Sequence, residues 1–191
     1  ISIRKGLAMG AASALQVVDP ALAGADLGVT ATVLAAAVRR AGFDLVITGN
    51  LSTDGSGGVI PAMLAEHLGV PQATALSSVT ITASEVSGTR ATDAGVAEVT
   101  TSLPAVISIT EALPDARFPN FKGIMAAKKK PVTVLTLAEI GVEADEVGVA
   151  NASSKVLSST PKPAKAAGEK ITDEGEGGDS AREKGLDTHG S

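Results

Sequence analysis

The segment of this chain best equipped for chemistry runs from Val46 to Gly69 and reads VITGNLSTDGSGGVIPAMLAEHLG. An apolar run ends at Thr48, a turn of small residues offers Ser52, Thr53, Asp54, Gly55, Ser56, Gly57 and Gly58, and a helix-forming stretch follows. Small residues let the backbone approach an anion, and free N–H groups at the start of a helix point at it with a favourable dipole. A turn past the carboxyl end of a parallel strand is where α/β sheets bind ligands. The chemistry implied is a phosphate cradle built from main-chain amides. The spacing is neither G-x-x-x-x-G-K-[ST] nor G-x-G-x-x-G, and no lysine stands ready to neutralise a γ-phosphate. Binding without hydrolysis fits better than an ATPase. Spacing alone leaves open an ordinary helix-capping loop.

A second constellation lies between Arg117 and Lys130. Arg117, Lys122, Lys128, Lys129 and Lys130 fall in a stretch with no acid, interleaved with Phe118, Phe121, Ile124 and Met125, although the chain carries a net charge of −5. Apolar anchors ringed by charge are the anatomy of a protein-docking hot spot. Like-signed charge speeds encounter with an acidic surface. The alternative is a solvated lysine face.

Other chemistries are excluded by composition. The chain has no Cys, so disulfides, thiolate metal sites and cysteine nucleophiles are ruled out, and only His67 and His189 could supply imidazole. Trp and Tyr are absent and aromatics make up 2%, which leaves few stacking platforms for bases and speaks against nucleic-acid binding. No run of about 18 uninterrupted apolar residues predicts a membrane span, and the opening does not resemble a signal peptide. The expected compartment is the cytoplasm.

These residues need a scaffold. Ala14–Val18 and Phe43–Thr48 read as buried strands, Thr30–Ala41 as a helix N-capped by Asp26 and stopped by Gly42, and Gly58–His67 as a second helix ending at Gly69. Alternating strand and helix predicts a doubly wound, mostly parallel sheet in an α/β domain. Ser77–Val86 and Ala97–Ser102 alternate with period two about a turn expected near Ser87–Gly88, which predicts an antiparallel ribbon. Ala105–Thr110 is a last buried strand, followed by a loop with Pro114 and Pro119, a short strand Val132–Leu135 and a brief helix Leu137–Ile140. The opening ISIRKGLAMGA reads as the middle of a helix ending at Gly10, so an N-terminal portion of the natural domain is expected before Ile1. Beyond Val149 the composition turns to Ala, Ser, Thr, Pro, Gly and charge. Such a segment buries too little apolar area to offset its chain entropy. The expected division is a nucleotide-binding domain over 1–149 and an extended or disordered arm over 150–191.

The segment TGNLSTDGSGGVIPAMLAEHLGVPQ, with IRKGLAMGA at the start, LPAVISITEALPDARFPNFKGIMAAKKKPV from Leu103 and LAEIGVEADEVG from Leu137, resembles the beta subunits of bacterial electron-transfer flavoproteins. The likeness runs in order from about Ile3 to Gly178. It implies an adenine-nucleotide-hydrolase-like fold and an electron-carrier subunit without catalytic residues of its own. The implied partner is an alpha subunit that holds most of the FAD, while this chain binds AMP as a structural ligand. The adenylate contacts would come mainly from backbone at Gly49, Asn50, Leu51, Ser52, Thr53, Asp54, Gly55, Ser56, Gly57, Gly58, Val59 and Ile60.

The resemblance also implies that Ile109–Pro131 is the loop that docks acyl-CoA-type dehydrogenases, with Arg117, Phe118, Phe121, Ile124, Met125, Lys128, Lys129 and Lys130 as its contacts. Phe121 stands where the family usually carries an anchoring Leu. Ser180–Ser191 is polar where the family ends in an apolar helix. A bifurcating variant, with a second FAD replacing AMP, remains open. A stand-alone adenine-nucleotide-binding module of the universal-stress-like class is the competing reading.

Overall fold

The computed structural model describes residues 2–53, 55–116 and 118–164. Helix α1 (Ser2–Ala8) is followed by strand β1 (Ala14–Val17), helix α2 (Leu27–Ala41), strand β2 (Leu45–Gly49) and helix α3 (Ile60–Leu68). Three long strands come next, β3 (Gln72–Ile81), β4 (Glu85–Thr92) and β5 (Gly95–Ser102), then β6 (Ala105–Ile109), helix α4 (Phe121–Ala127), β7 (Val132–Leu135) and a single helical turn, α5 (Ala144–Val147). The α/β class, the mostly parallel pairing and the antiparallel ribbon agree with the sequence reading. By internal contacts the chain divides into Ile1–Lys155 and Val156–Ser191; of the second unit, the described residues 156–164 carry no helix or strand. No described helix is long and apolar enough to cross a membrane.

The strands form two sheets. One has the order β2-β6-β3-β4-β5 and the other is the parallel pair β1-β7. Strand β6 is parallel to β2 on one side and to β3 on the other, while β3-β4 and β4-β5 are antiparallel. Because successive strand residues point to opposite faces, Val106 packs with Ala35, Leu64 and Ala65 under the helices, and Ile107 packs with Ala73, Leu76 and Val86. Leu76, Val86, Val106 and Ile107 lose all exposure, a burial that stabilises by about 1.5–3 kcal/mol per large side chain.

Helix α2 serves two clusters. Val29 and Val33 join Leu137, Val142 and Val147, while Ala35 faces Leu64 of α3. Alanine at that contact lets the two helices approach closely. The Arg39 guanidinium at the end of α2 donates to the His67 carbonyl in the last turn of α3. Gly42 at φ +73 and Gly69 at φ +68 end the two helices as expected from their side-chain-free backbones.

Two strand features depart from simple pairing. Ala75 sits in the left-handed region at φ +56, where β3 shifts register against β6. The buried Ser108 hydroxyl accepts the Ala75 N–H at 2.7 Å and so holds this bulge. The turn expected near Ser87–Gly88 is absent. Both residues lie inside β4, opposite Thr80 and Val79, and the chain reverses instead over residues 82–84 and 93–94. Thr82 builds the first reversal, its hydroxyl accepting the Glu85 N–H at 3.1 Å. Gly88 is glycine because strands close in on it: a Cβ there would stand 2.0 Å from the Ser78 carbonyl oxygen.

Asp26 caps α2 as anticipated, one carboxylate oxygen accepting the Val29 N–H at 3.0 Å. The other oxygen accepts the N–H of Ser154 at 3.0 Å and its hydroxyl at 3.4 Å, tying the end of the first unit to the start of α2. The Val29 bond, seconded by those from the 153–154 segment, holds the carboxyl below its ordinary value of 3.8 against an opposing desolvation.

Two outcomes are expected. Gly88→Ala must push β3 and β4 apart, costing at least about 2 kcal/mol, seen as a lower denaturant midpoint; unchanged stability would mean that the strands are not so close. A carboxyl with a depressed folded pKa contributes stability above its unfolded value and loses it as pH falls through the folded one. The Ser154 amide resonance should therefore titrate only in acid, with a midpoint below 3.8, and Asp26→Ala should abolish that titration; a midpoint above the ordinary value contradicts the latch.

Candidate functional site

Strand β2 ends at Gly49, level with Ile109 at the end of its parallel partner β6. The glycine turn therefore leaves from the carboxyl edge of the parallel strands, where α/β sheets receive ligands. Asn50 is half-buried. Leu51, Ser52, Thr53, Gly55, Ser56, Gly57, Gly58 and Val59 are exposed, and Asp54 lies outside the described residues. A local turn stiffens the loop: the Ser56 N–H and hydroxyl both donate to the Ser52 carbonyl, at 3.0 and 3.2 Å. Ser56 adopts φ +48 to do so.

Two glycines have geometric reasons to be there. Gly58 sits at φ +65, and a side chain on it would meet Leu51 Cδ2 at 2.8 Å. A Cβ on Gly57 would stand 3.2 Å from Leu27 Cδ1 and 3.9 Å from Val59 Cγ2. Leu27, Leu51 and Val59 are each 40% exposed or more and border the glycine pair. Helix α3 opens at Val59 with no side-chain cap on its first amides, and Pro61 in its first turn is buried. Ile60 packs against the cluster of Ala35 and Leu64. An uncapped helix start beside a glycine-rich turn leaves main-chain amides available to an anion, and the three apolar side chains border that junction.

The second predicted constellation is a helix where a loop was expected. Asn120 caps α4, its side-chain oxygen accepting the Gly123 N–H at 2.7 Å. Ala127 is buried, and Gly123 lies so close to α1 that a Cβ would come within 2.5 Å of the Ala8 carbonyl oxygen. The pair is clamped at both ends. Arg4 donates to the carbonyls of Ala127 and Lys130 at 2.6 and 2.8 Å, and the Lys130 amine donates to those of Leu7 and Ala11 at 2.8 and 2.6 Å. Each cation thus satisfies carbonyls at the partner helix's carboxyl end, where the dipole favours it.

The outward face holds the anchors. Phe118 is 95% exposed, Phe121 79%, Ile124 45% and Met125 46%. Lys122, Lys128 and Lys129 are exposed, whereas Lys130 is spent on the clamp; Arg117 lies outside the described residues. Two residues escaped the sequence reading. Leu27 borders Gly57 from a helix begun 30 positions earlier, and Arg4 reaches across 123 positions to Ala127. No local pattern announces either contact.

Residues 1–140 match the family described as "Electron transfer flavoprotein domain". Among similar proteins, an electron transfer flavoprotein subunit beta of Mycobacterium bovis is 59% identical over 93% of this chain and 67% of its own length. One from Syntrophomonas wolfei is 36% identical over 92% of this chain and 65% of its own. The caffeyl-CoA reductase-Etf complex subunit CarD of Acetobacterium woodii is 30% identical over 89% and 65%. The chain thus spans about two thirds of the length of the relatives it matches. With a domain match over most of its length and 59% identity to a beta subunit, this chain belongs to the electron transfer flavoprotein family, among its beta subunits.

Proposed function

We propose that this chain is the small subunit of a heterodimeric electron-transfer flavoprotein, accepting electrons from acyl-CoA-type dehydrogenases through FAD shared with an alpha subunit. In this reading its own nucleotide is AMP, held structurally, and dehydrogenases dock on the face of α4. Residues 1–149 form the nucleotide-binding body, 150–191 the arm that follows the alpha subunit, and the assembly works in the cytoplasm. The observation that carries the reading is the open junction between β2 and α3. The residues present suit a nucleotide monophosphate. Amides of the loop from Gly49 to Gly58 and of the first turn of α3 would bind the phosphate. Leu27, Leu51 and Val59 would pack on the purine, and glycine at position 58 lets the turn take its positive φ with Leu51 packed against it.

FAD supplies the redox chemistry when bound. This chain's part is to fix the flavin-bearing partner and to present a docking face to the donor. An apolar knob such as Phe121 contributes most when it is desolvated in a partner's pocket, with cations around it guiding approach. Among the described residues the cations left for that task are Lys122, Lys128 and Lys129, since Lys130 is committed to α1.

Calorimetry on the assembled two-subunit complex should show AMP binding in preference to ATP. Gly58→Val, which places a branched side chain at positive φ against Leu51, should weaken AMP at least about tenfold; preference for ATP would instead favour a stand-alone nucleotide module. Phe121→Ala should lower electron transfer from a dehydrogenase by at least about tenfold at unchanged flavin content. Parallel loss of both would make Phe121 a packing residue.

A further inference from the structure

Beside the docking face lies an open trough of about 1170 Å³, walled by α1, by α4 and by Asp115, Ala116, Phe118 and Pro119. Its apolar lining comes from Ala8 and Met9 of the first wall, Ile124 of the second and Phe118 of the third, and Lys5 and Lys128 line it as well. Asp115 is the acid on the third wall. Met9, Ile124 and Phe118 are 38%, 45% and 95% exposed, so the apolar surface faces solvent. Contiguous exposed apolar surface of this kind marks interaction sites on soluble proteins.

The trough is fixed in width. The close approach of Gly123 to Ala8 and the crossed Arg4 and Lys130 clamp hold its two helical walls together. A preformed groove spares the ordering cost that a flexible one would incur on binding. The opening suits an extended segment better than an enclosed small molecule, because the third wall carries the almost fully exposed Phe118.

Charge selects the occupant. The chain is net negative at −5. Yet the trough's lining and the adjoining face of α4 carry Lys5, Lys122, Lys128 and Lys129, all exposed. An acidic segment is attracted here and repelled by the molecule as a whole, which gives both steering and register.

We infer that this trough receives an acidic amphipathic helix of the docked protein, its apolar stripe seated on Met9 and Ile124 and its carboxylates on Lys5 and Lys128. Helix-in-groove recognition needs an apolar surface with charges beside it, and Met9, Ile124, Lys5 and Lys128 supply both. The inference rests on the docking reading and deepens it: Phe121 is the knob this chain offers, and the trough is the pocket it presents in return.

The test titrates the assembled two-subunit complex with two synthetic amphipathic helices of about five turns, one with a leucine stripe flanked by glutamates, the other by lysines. By fluorescence anisotropy the acidic helix should bind at least about tenfold tighter. Met9→Glu should weaken it by a similar factor, Lys5→Glu with Lys128→Glu should erase the preference for acid, and Phe121→Ala should change neither. No binding, equal binding of both helices, or indifference to Met9→Glu and to the lysine pair overturns the inference. So does self-association that Met9→Glu dissolves, because a second copy would then be the occupant. Dehydrogenase docking separates the two readings. Loss with Phe121→Ala but not with Met9→Glu sinks the trough and keeps the docking face, and loss with Met9→Glu but not with Phe121→Ala keeps the trough and sinks the knob.

Discussion

The burial of β6 is the constraint on which the rest depends. It is flanked by parallel neighbours on both sides, and its side chains enter two different apolar clusters. Without Trp or Tyr, these clusters fill with Val, Leu, Ile and Ala, and the layers close up because alanines such as Ala35, Ala65 and Ala73 occupy the contacts. A strand so enclosed fixes where β2 ends, hence where the glycine turn emerges and where α3 begins. The turn itself is free of that packing. Its glycines at 57 and 58 border Leu27, Leu51, Val59 and the Asn50 carbonyl, outside the buried clusters beneath.

The α4 region shows a different economy. Its inner face carries the smallest residues, Gly123 and Ala127, pressed on α1, while its large apolar side chains point away from the body. In an ordinary surface helix the large apolar residues face inward. The inversion is sustained by main-chain carbonyls: Arg4 and Lys130 replace the missing side-chain packing with four charge-assisted hydrogen bonds across the pair. The helix is thereby fastened to the body with its large apolar groups exposed.

Much of this was legible because it is local. Asp26 before an apolar-periodic stretch, Gly42 and Gly69 after one, and the uninterrupted AVISI of β6 each act within a few residues, so the helix ends and the buried strand could be read directly. Gly88 misled because glycine serves turns and close approaches alike, and only the Ser78 carbonyl across the strand pair distinguishes them. α4 was missed because its apolar residues follow no inward-facing stripe and Pro119 precedes it. Lys130 was counted among the docking cations because its carbonyl partners belong to α1. The glycine turn could be located from spacing, but its apolar border could not, since Leu27 reaches it through the tertiary fold.

The division into two sheets bears on how such a chain reaches its folded state. Successive strands of the β3-β4-β5 meander are joined by reversals of only a few residues, so their pairing closes small loops at little entropic cost. Strand β1 instead meets β7 through Ala14 and Val132, near opposite ends of the first unit. Loop-closure entropy rises with the length spanned, and non-local pairing slows the approach to the native state. Closing the meander therefore costs less chain entropy than closing the long circuit that brings α1 against α4 just before β7. The exposed face of Phe121, Ile124 and Met125 thus depends on a contact between α1 and α4 that spans most of the first unit.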